Sequence, residues 1–375
     1  MDVIAHRATA CDWARVSSTL VRRIVLAFAL SALAAAVLGG LGRLGLVPTF
    51  PVWAQRHGAA MVGFLGVVIA LERAWLLGNA RAHLVPAVGV GGLLAELGGA
   101  PSWLGHLLLL FAGAGLVVLQ GAHLMRRRGI DNTLMTTGAL AWLVGQMIVL
   151  TGASPSRAVP AWASFVVLVI LGERIELQRR GDQAPPAGLV AAGWAVLILH
   201  LIAGAMHLLW PRSGTSLLGL GWCASGGLLL WTDPGVRAPA RPGADRYVAT
   251  ALTLGFVWLV AAGLLSIVFA GIDAGPLYDA RIHALFGGFG LTLLFAHGPQ
   301  VLPALAGRDG LAWSRLAWAA LLVLQLGAVG RVVGDLSSPG LRVIGTALHA
   351  MALGTFVLAM VRGMIRLSAP SPLRF

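Results

Sequence analysis

Apolar residues run along this chain in long blocks, and short polar breaks separate them. A membrane-spanning helix needs about 20 mostly apolar residues. Blocks of that kind lie near 21–47, 56–78, 82–99, 102–125, 132–152, 157–178, 187–209, 213–232, 246–271, 281–305, 313–335 and 339–367. Those at 82–99 and 213–232 are short and glycine-rich. The breaks carry helix punctuation: Pro48, Pro51, Pro101, Asp131-Asn132, Ser154-Pro155, Pro185-Pro186, Pro211, Asp233-Pro234, Gly275-Pro276 and Pro339. Trp53, Trp75, Trp103, Trp162, Trp210, Trp231 and Trp313 fall near block ends, as an interfacial belt would place them. The pattern predicts an all-α, polytopic integral membrane protein with about twelve transmembrane helices. Residues 1–20 form a cytoplasmic segment, 21–367 a single transmembrane domain and 368–375 a cytoplasmic tail.

Composition agrees with the pattern. Of 375 residues, 58% are hydrophobic and 11% charged, against roughly a quarter charged in a soluble domain. This excludes a soluble enzyme, a disordered chain and a disulfide scaffold. Cys11 and Cys223 make no metal or disulfide spacing. The net charge is +13, and all 27 basic residues are arginine. That balance requires no nucleic acid, because arginine also fixes membrane topology. On the twelve-helix plan, 20 arginines fall on the side of the N-terminus. The other 7 are Arg43, Arg56, Arg157, Arg212, Arg281, Arg331 and Arg342. Both termini are therefore expected in the cytoplasm of a bacterium, with the chain in its inner membrane. Arg22 to Ala36 has the look of a signal peptide but continues into a full span, so it reads as an uncleaved helix. Fifty glycines imply close helix packing or room for a flat ligand.

Spans two and six echo each other. Gly63-Phe64-Leu65-Gly66 leads to Glu72-Arg73, and Ser164-Phe165 leads to Glu173-Arg174. Span ten echoes the start of span two: His57 precedes Gly63-Phe64, and His283 precedes Gly288-Phe289. Spans two, six and ten are four apart, which is consistent with three arcs of four helices.

Ionisable groups inside spans are site candidates. His57 and His283 fall one turn inside the outer boundary of two parallel helices. Matching depth suits axial ligation of a haem, in which neutral imidazoles approach iron from opposite faces. In an α-helix, Gly287 and Gly290 share the face of His283 and leave space for a ring. Arg56 and Arg281 stand where propionate carboxylates need bidentate partners. The competing reading is two interfacial histidines, each bonded to a neighbouring carbonyl. His349 is either a further metal ligand or a buried hydrogen-bonding group. His297 is fourteen residues past His283, about 21 Å along a helix. It precedes Pro299, which frees a carbonyl, so it either belongs to a second polar site or satisfies the broken turn. His83 and His123 fall toward the cytoplasmic side, and His106, His200 and His207 have no partner identifiable from sequence.

Glu72 with Arg73 and Glu173 with Arg174 either snorkel at the cytoplasmic boundary or line a polar vestibule. Glu96 lies inside span three with no obvious basic neighbour. Asp273 to Asp279, with Tyr278, form an acidic outer loop suited to a basic electron donor or simply to solvent.

The segments His57-Gly58-Ala59-Ala60-Met61-Val62-Gly63-Phe64-Leu65-Gly66 and His283-Ala284-Leu285-Phe286-Gly287-Gly288 resemble the histidine-glycine helix starts of the NnrS-type membrane proteins. That resemblance implies a twelve-span bacterial protein containing haem and copper and associated with nitric oxide. More loosely the pattern resembles subunit I of the haem-copper oxidases, which implies low-spin haem ligands at His57 and His283. Span six has no histidine, and span seven has only the separated His200 and His207. A proton-pumping oxygen reductase is thus not expected.

Three functions follow from these residues. One is a membrane haem protein (b-type, with copper as an option) that binds a small gas or passes electrons to a partner. The second is a small-solute transporter using the broken span ten, Glu96 and His297. The third is an accessory subunit of a redox complex. No carboxylate pair, metal-ligand helix or phosphate loop points to a hydrolase or transferase.

Overall fold

The computed structural model describes residues 2–179, 185–237 and 242–368, with side chains from Thr19 onward. Arg180, Arg241, Arg374 and the side chains of His6, Arg7, Cys11 and Arg15 lie outside the described residues, as does the tail from 369. Among the described residues there is no strand. The main helices are α1 (Asp2–Arg43), α2 (Pro51–Leu76), α3 (Leu84–Leu97), α4 (Ser102–Arg126), α5 (Ile130–Leu150) and α6 (Pro155–Glu176). They continue with α7 (Ala187–Leu209), α8 (Pro211–Thr232), α9 (Ala244–Val268), α10 (Pro276–Leu305), α11 (Leu316–Ser337) and α12 (Pro339–Ser368).

A helix occurs at each of the twelve expected positions, and ten are long and apolar enough to cross a membrane. The two that fall short are the glycine-rich pair. The 14 residues of α3 reach about 21 Å at 1.5 Å per residue. That is less than a hydrocarbon core of about 30 Å. Helix α8 is long enough at 22 residues but carries buried Thr215 and Ser225.

The punctuation works by position. Pro51, Pro155, Pro211, Pro276 and Pro339 each open a helix. There the missing N–H costs nothing and φ is already helical. Glycines two residues beyond a helix end close it: Gly78 after α2 and Gly152 after α5 have φ of 62° and 83°. A side chain resists that left-handed turn.

The helices group into two compact units. The first comprises residues 1–119 with Val301–Gly310. Helix α3 packs on α2 and α4 there, through glycines. A Cβ on Gly89 would lie 2.6 Å from Val67, and one on Gly92 would lie 2.8 Å from Leu109. The second unit holds 120–300 and 311–375. Its interior helix is α6, with 83% of its apolar window buried, packed on α5, α7 and α8. Trp142 stacks on Phe165 at 5.3 Å. Helices α8 and α9 approach to backbone contact: a Cβ on Gly219 would lie 2.6 Å from the Gly263 carbonyl. Phe295 of α10 stacks on Phe356 of α12 at 4.0 Å.

Helix α10 is irregular. It begins as a short α-helix, Pro276–Ile282, and continues as a π-helix over His283–Gly290. The α form resumes at Leu291. Wide π turns are rare and cluster at functional sites. Here the wide turn opens at the histidine singled out from sequence.

Candidate functional site

In the second unit, α10, α11 and α12 enclose a buried charge cluster around His283. Helical geometry places Arg331 and Asp335 of α11 four residues apart on one face. They form an ion pair. The Asp335 carboxylate is also ion-paired with Arg342, whose Nε lies 3.0 Å away, and Arg331 reaches Asp279 Oδ2 at 3.3 Å. The Arg331 and Asp335 side chains are 5% and 0% exposed, where an uncompensated charge would be expensive. Two cations and two anions balance with the imidazole neutral. The Nδ1 of His283 lies 2.7 Å from the Asp279 carbonyl, and 3.7 Å from Asp335 Oδ2. A proton on Nδ1 donates to that carbonyl and leaves the lone pair on Nε2. A carbonyl and carboxylate behind the ring fix its tautomer, as they do for metal-bound histidines. The side chain is 31% exposed, so the ring is reachable.

Gly287 keeps the face expected of it, but the room belongs to a side chain. A Cβ there would lie 3.0 Å from His349 Nε2. The wider π turn rotates each residue less than an α turn, so Gly290, seven residues on, leaves the face of His283. His349 donates from Nδ1–H to the Gly345 carbonyl at 3.1 Å and lies in the field of Arg331. Its buried Nε2 has no hydrogen-bond partner. The structure therefore brings His283, Gly287 and His349 together. Among the described residues, no three His, Cys, Asp or Glu side chains converge as a metal ion would need.

Arg281 is buried and donates to the Ile272 carbonyl at 2.6 Å. Its guanidinium sits 5.4 Å from the Tyr278 ring. The acidic loop is likewise partly turned inward, since Asp279 pairs with Arg331. Further along α10, Thr292 accepts from Gln325 at 2.9 Å, and Gln325 accepts from Trp258 Nε1 at 2.8 Å. His297 follows, its Nδ1 2.9 Å from the Leu293 carbonyl, in the field of Arg174, Glu173 and Asp233. Arg174 pairs with Asp233, through Nε at 2.5 Å and Nη2 at 2.6 Å. Asp131 and Arg179 form a second such pair at 2.7 and 2.5 Å.

The first unit holds a smaller cluster. Glu96, 1% exposed, does have basic neighbours. Arg56 Nη1 is 3.5 Å and His106 Nε2 3.7 Å from its carboxylate. Arg56 also donates to the Glu96 and Ala100 carbonyls at 3.1 and 2.9 Å. Gly105 makes this arrangement fit, because a Cβ there would overlap the Glu96 carboxylate. His57 has Nδ1 2.9 Å from the Ala54 carbonyl and sits against Gly39 and Gly40 of α1. Arg73 is buried and Glu72 half-buried at the other end of α2. Arg56 and Arg281, expected to face propionates, are thus committed to carbonyls of their own units.

Sequence reading missed Asp335, Arg331 and Arg342 as a site. Arg331 and Asp335, four apart inside an apolar span, were the available signal. Asp233 was read only as a break. Its link to Arg174, 59 residues away, carries no local signature.

Residues 22–365 match the family described as "Domain of unknown function (DUF8744)". A search of curated proteins finds no match.

Proposed function

The chain belongs to this family of unknown function, and we propose from its own residues that it is a membrane haem protein in which His283 would hold the haem iron. The observation that supports this reading is the mounting of His283: an imidazole backed by a carbonyl and the Asp335 carboxylate, in a charge-balanced cluster, with its ring 31% exposed. A bound haem, taken as b-type, would supply a redox-active iron able to bind a small gas such as nitric oxide or pass an electron. The chain's own part is to hold the ring, keep it neutral and keep Asp335 paired. Copper does not fit, for want of a three-ligand group among the described residues. We place the protein in a bacterial inner membrane with both termini cytoplasmic, in contact with lipid and an electron or gas partner. The test is the absorption spectrum of purified protein. A Soret band should be present and should be lost in His283→Ala. Full haem content in that variant would sink the proposal.

A second reading rests on a different observation. Ionisable or hydrogen-bonding groups recur along α10 at His283, Thr292 and His297, and α11, α12 and α6 supply Asp335, His349 and Glu173 beside them. Strings of carboxylates and histidines relay protons in transporters. That reading predicts solute counterflow or proton flux in proteoliposomes that falls in His297→Ala, with no pigment in the protein.

A further inference from the structure

A second polar cavity lies in the same unit, at the end where α10 begins. It is lined by Ser156 and Pro160 of α6, Thr215 and Trp222 of α8, Ser266 of α9, and Asp273, Tyr278 and Arg281. It opens to the outside, and its interior takes about one water-sized body. Two of the lining residues each carry a buried N–H without a hydrogen-bond partner: Arg281 at Nε and Trp222 at Nε1. Arg281 is 6% and Trp222 3% exposed. Both atoms are obligate donors, since neither guanidinium nor indole can accept. Leaving each unmet is costly, more so for the charged one. The hydroxyls of Ser156, Thr215 and Ser266 line the same space and can turn to donate. The one carboxylate in the lining, Asp273, offsets the Arg281 charge.

We propose that this cavity binds a small inorganic anion of halide size, held between Arg281 Nε–H and Trp222 Nε1–H. The geometry calls for an acceptor with no hydrogens of its own, because the unmet groups only donate. The size admits one atom-sized guest. Asp273 competes for Arg281, so binding is weak and depends on the salt outside. The site uses neither His283 nor His349 and stands or falls independently of the haem proposal.

The experiment uses the full-length protein in detergent, with sodium chloride exchanged for sodium gluconate at constant ionic strength. Thermal unfolding and the line width of ³⁵Cl⁻ magnetic resonance are read together. Wild type should gain a higher unfolding midpoint in chloride and broaden the chloride line. Trp222→Phe, which removes one N–H and keeps the ring, should lose both effects. Asp273→Asn should strengthen both, a gain that a misfolded variant could not produce. No chloride dependence in wild type, or an unchanged one in both variants, would overturn the proposal and leave a water as the guest.

Discussion

Removing one partner of the Arg174–Asp233 pair tests whether the buried charges hold the second unit together. The pair is bidentate at 2.5 and 2.6 Å, with side chains 10% and 0% exposed. Charges about 4 Å apart attract by about 4 kcal/mol at an effective dielectric of 20. Desolvation offsets much of that, so the intact pair adds little net stability. Breaking it is different, because the survivor remains buried alone, at roughly 3–5 kcal/mol. Asp233→Asn keeps the oxygen that accepts from the Gly235 N–H at 2.7 Å, so its loss is charge rather than cap. Arg174→Met keeps most of the volume. Each single variant should cost about 3 kcal/mol. The double variant should cost no more than either single, since no lone charge is left. Unfolding by dodecyl sulfate in mixed micelles, followed by tryptophan fluorescence, gives the four free energies of the cycle. Single costs under about 1 kcal/mol that simply add in the double variant would refute the reasoning.

Other perturbations follow from packing. Gly105→Val drives a side chain into the Glu96 carboxylate and should destabilise the protein by about 1–3 kcal/mol or more, whereas Gly121→Val, which meets nothing within 4 Å, should be nearly neutral in the same assay. Phe295→Ala removes one ring of a stack at 4.0 Å and should cost about 3–5 kcal/mol. Gly287→Ala places a methyl 3.0 Å from His349 Nε2; it should be destabilising alone and close to neutral on a His349→Ala background, and equal effects on both backgrounds would show that His349 does not fill that space.

The helical plan was legible because hydrocarbon imposes a length and forbids unpaired backbone, so each span leaves its own mark. Proline and glycine marked the ends through local sterics. The π-helix was not legible. His283–Gly290 reads as an ordinary apolar helix, and α spacing placed Gly290 on a face that the wider turn moves away. His349 at Gly287 was also hidden, because the contact depends on how α12 packs on α10 and α11. Glu96 shows the same limit. Its neighbours Arg56 and His106 come from α2 and α4, 40 residues before it and ten after. Periodicity reports which face of a helix is apolar and leaves open which helix covers it.

The arginine count is sharpened by these pairings. Of 7 arginines on the sparse side, Arg56, Arg281, Arg331 and Arg342 bind carbonyls or carboxylates within their units, which leaves 7 − 4 = 3 for the loops. On the rich side, Arg174 and Arg179 are committed to Asp233 and Asp131, and Arg23 and Arg237 donate to the Ala306 and Trp231 carbonyls. Topology is set by basic residues in short loops as the chain inserts. Neutralising Arg56 and Arg342 together as glutamines should lower stability, through Glu96 and Asp335, without changing orientation. Fusions after Phe375 check this. Green fluorescent protein should fluoresce there and alkaline phosphatase should be inactive, in the wild type and in the double variant alike. An active phosphatase in the double variant alone would show that these arginines orient the chain. One in the wild type would reverse the cytoplasmic assignment of the termini.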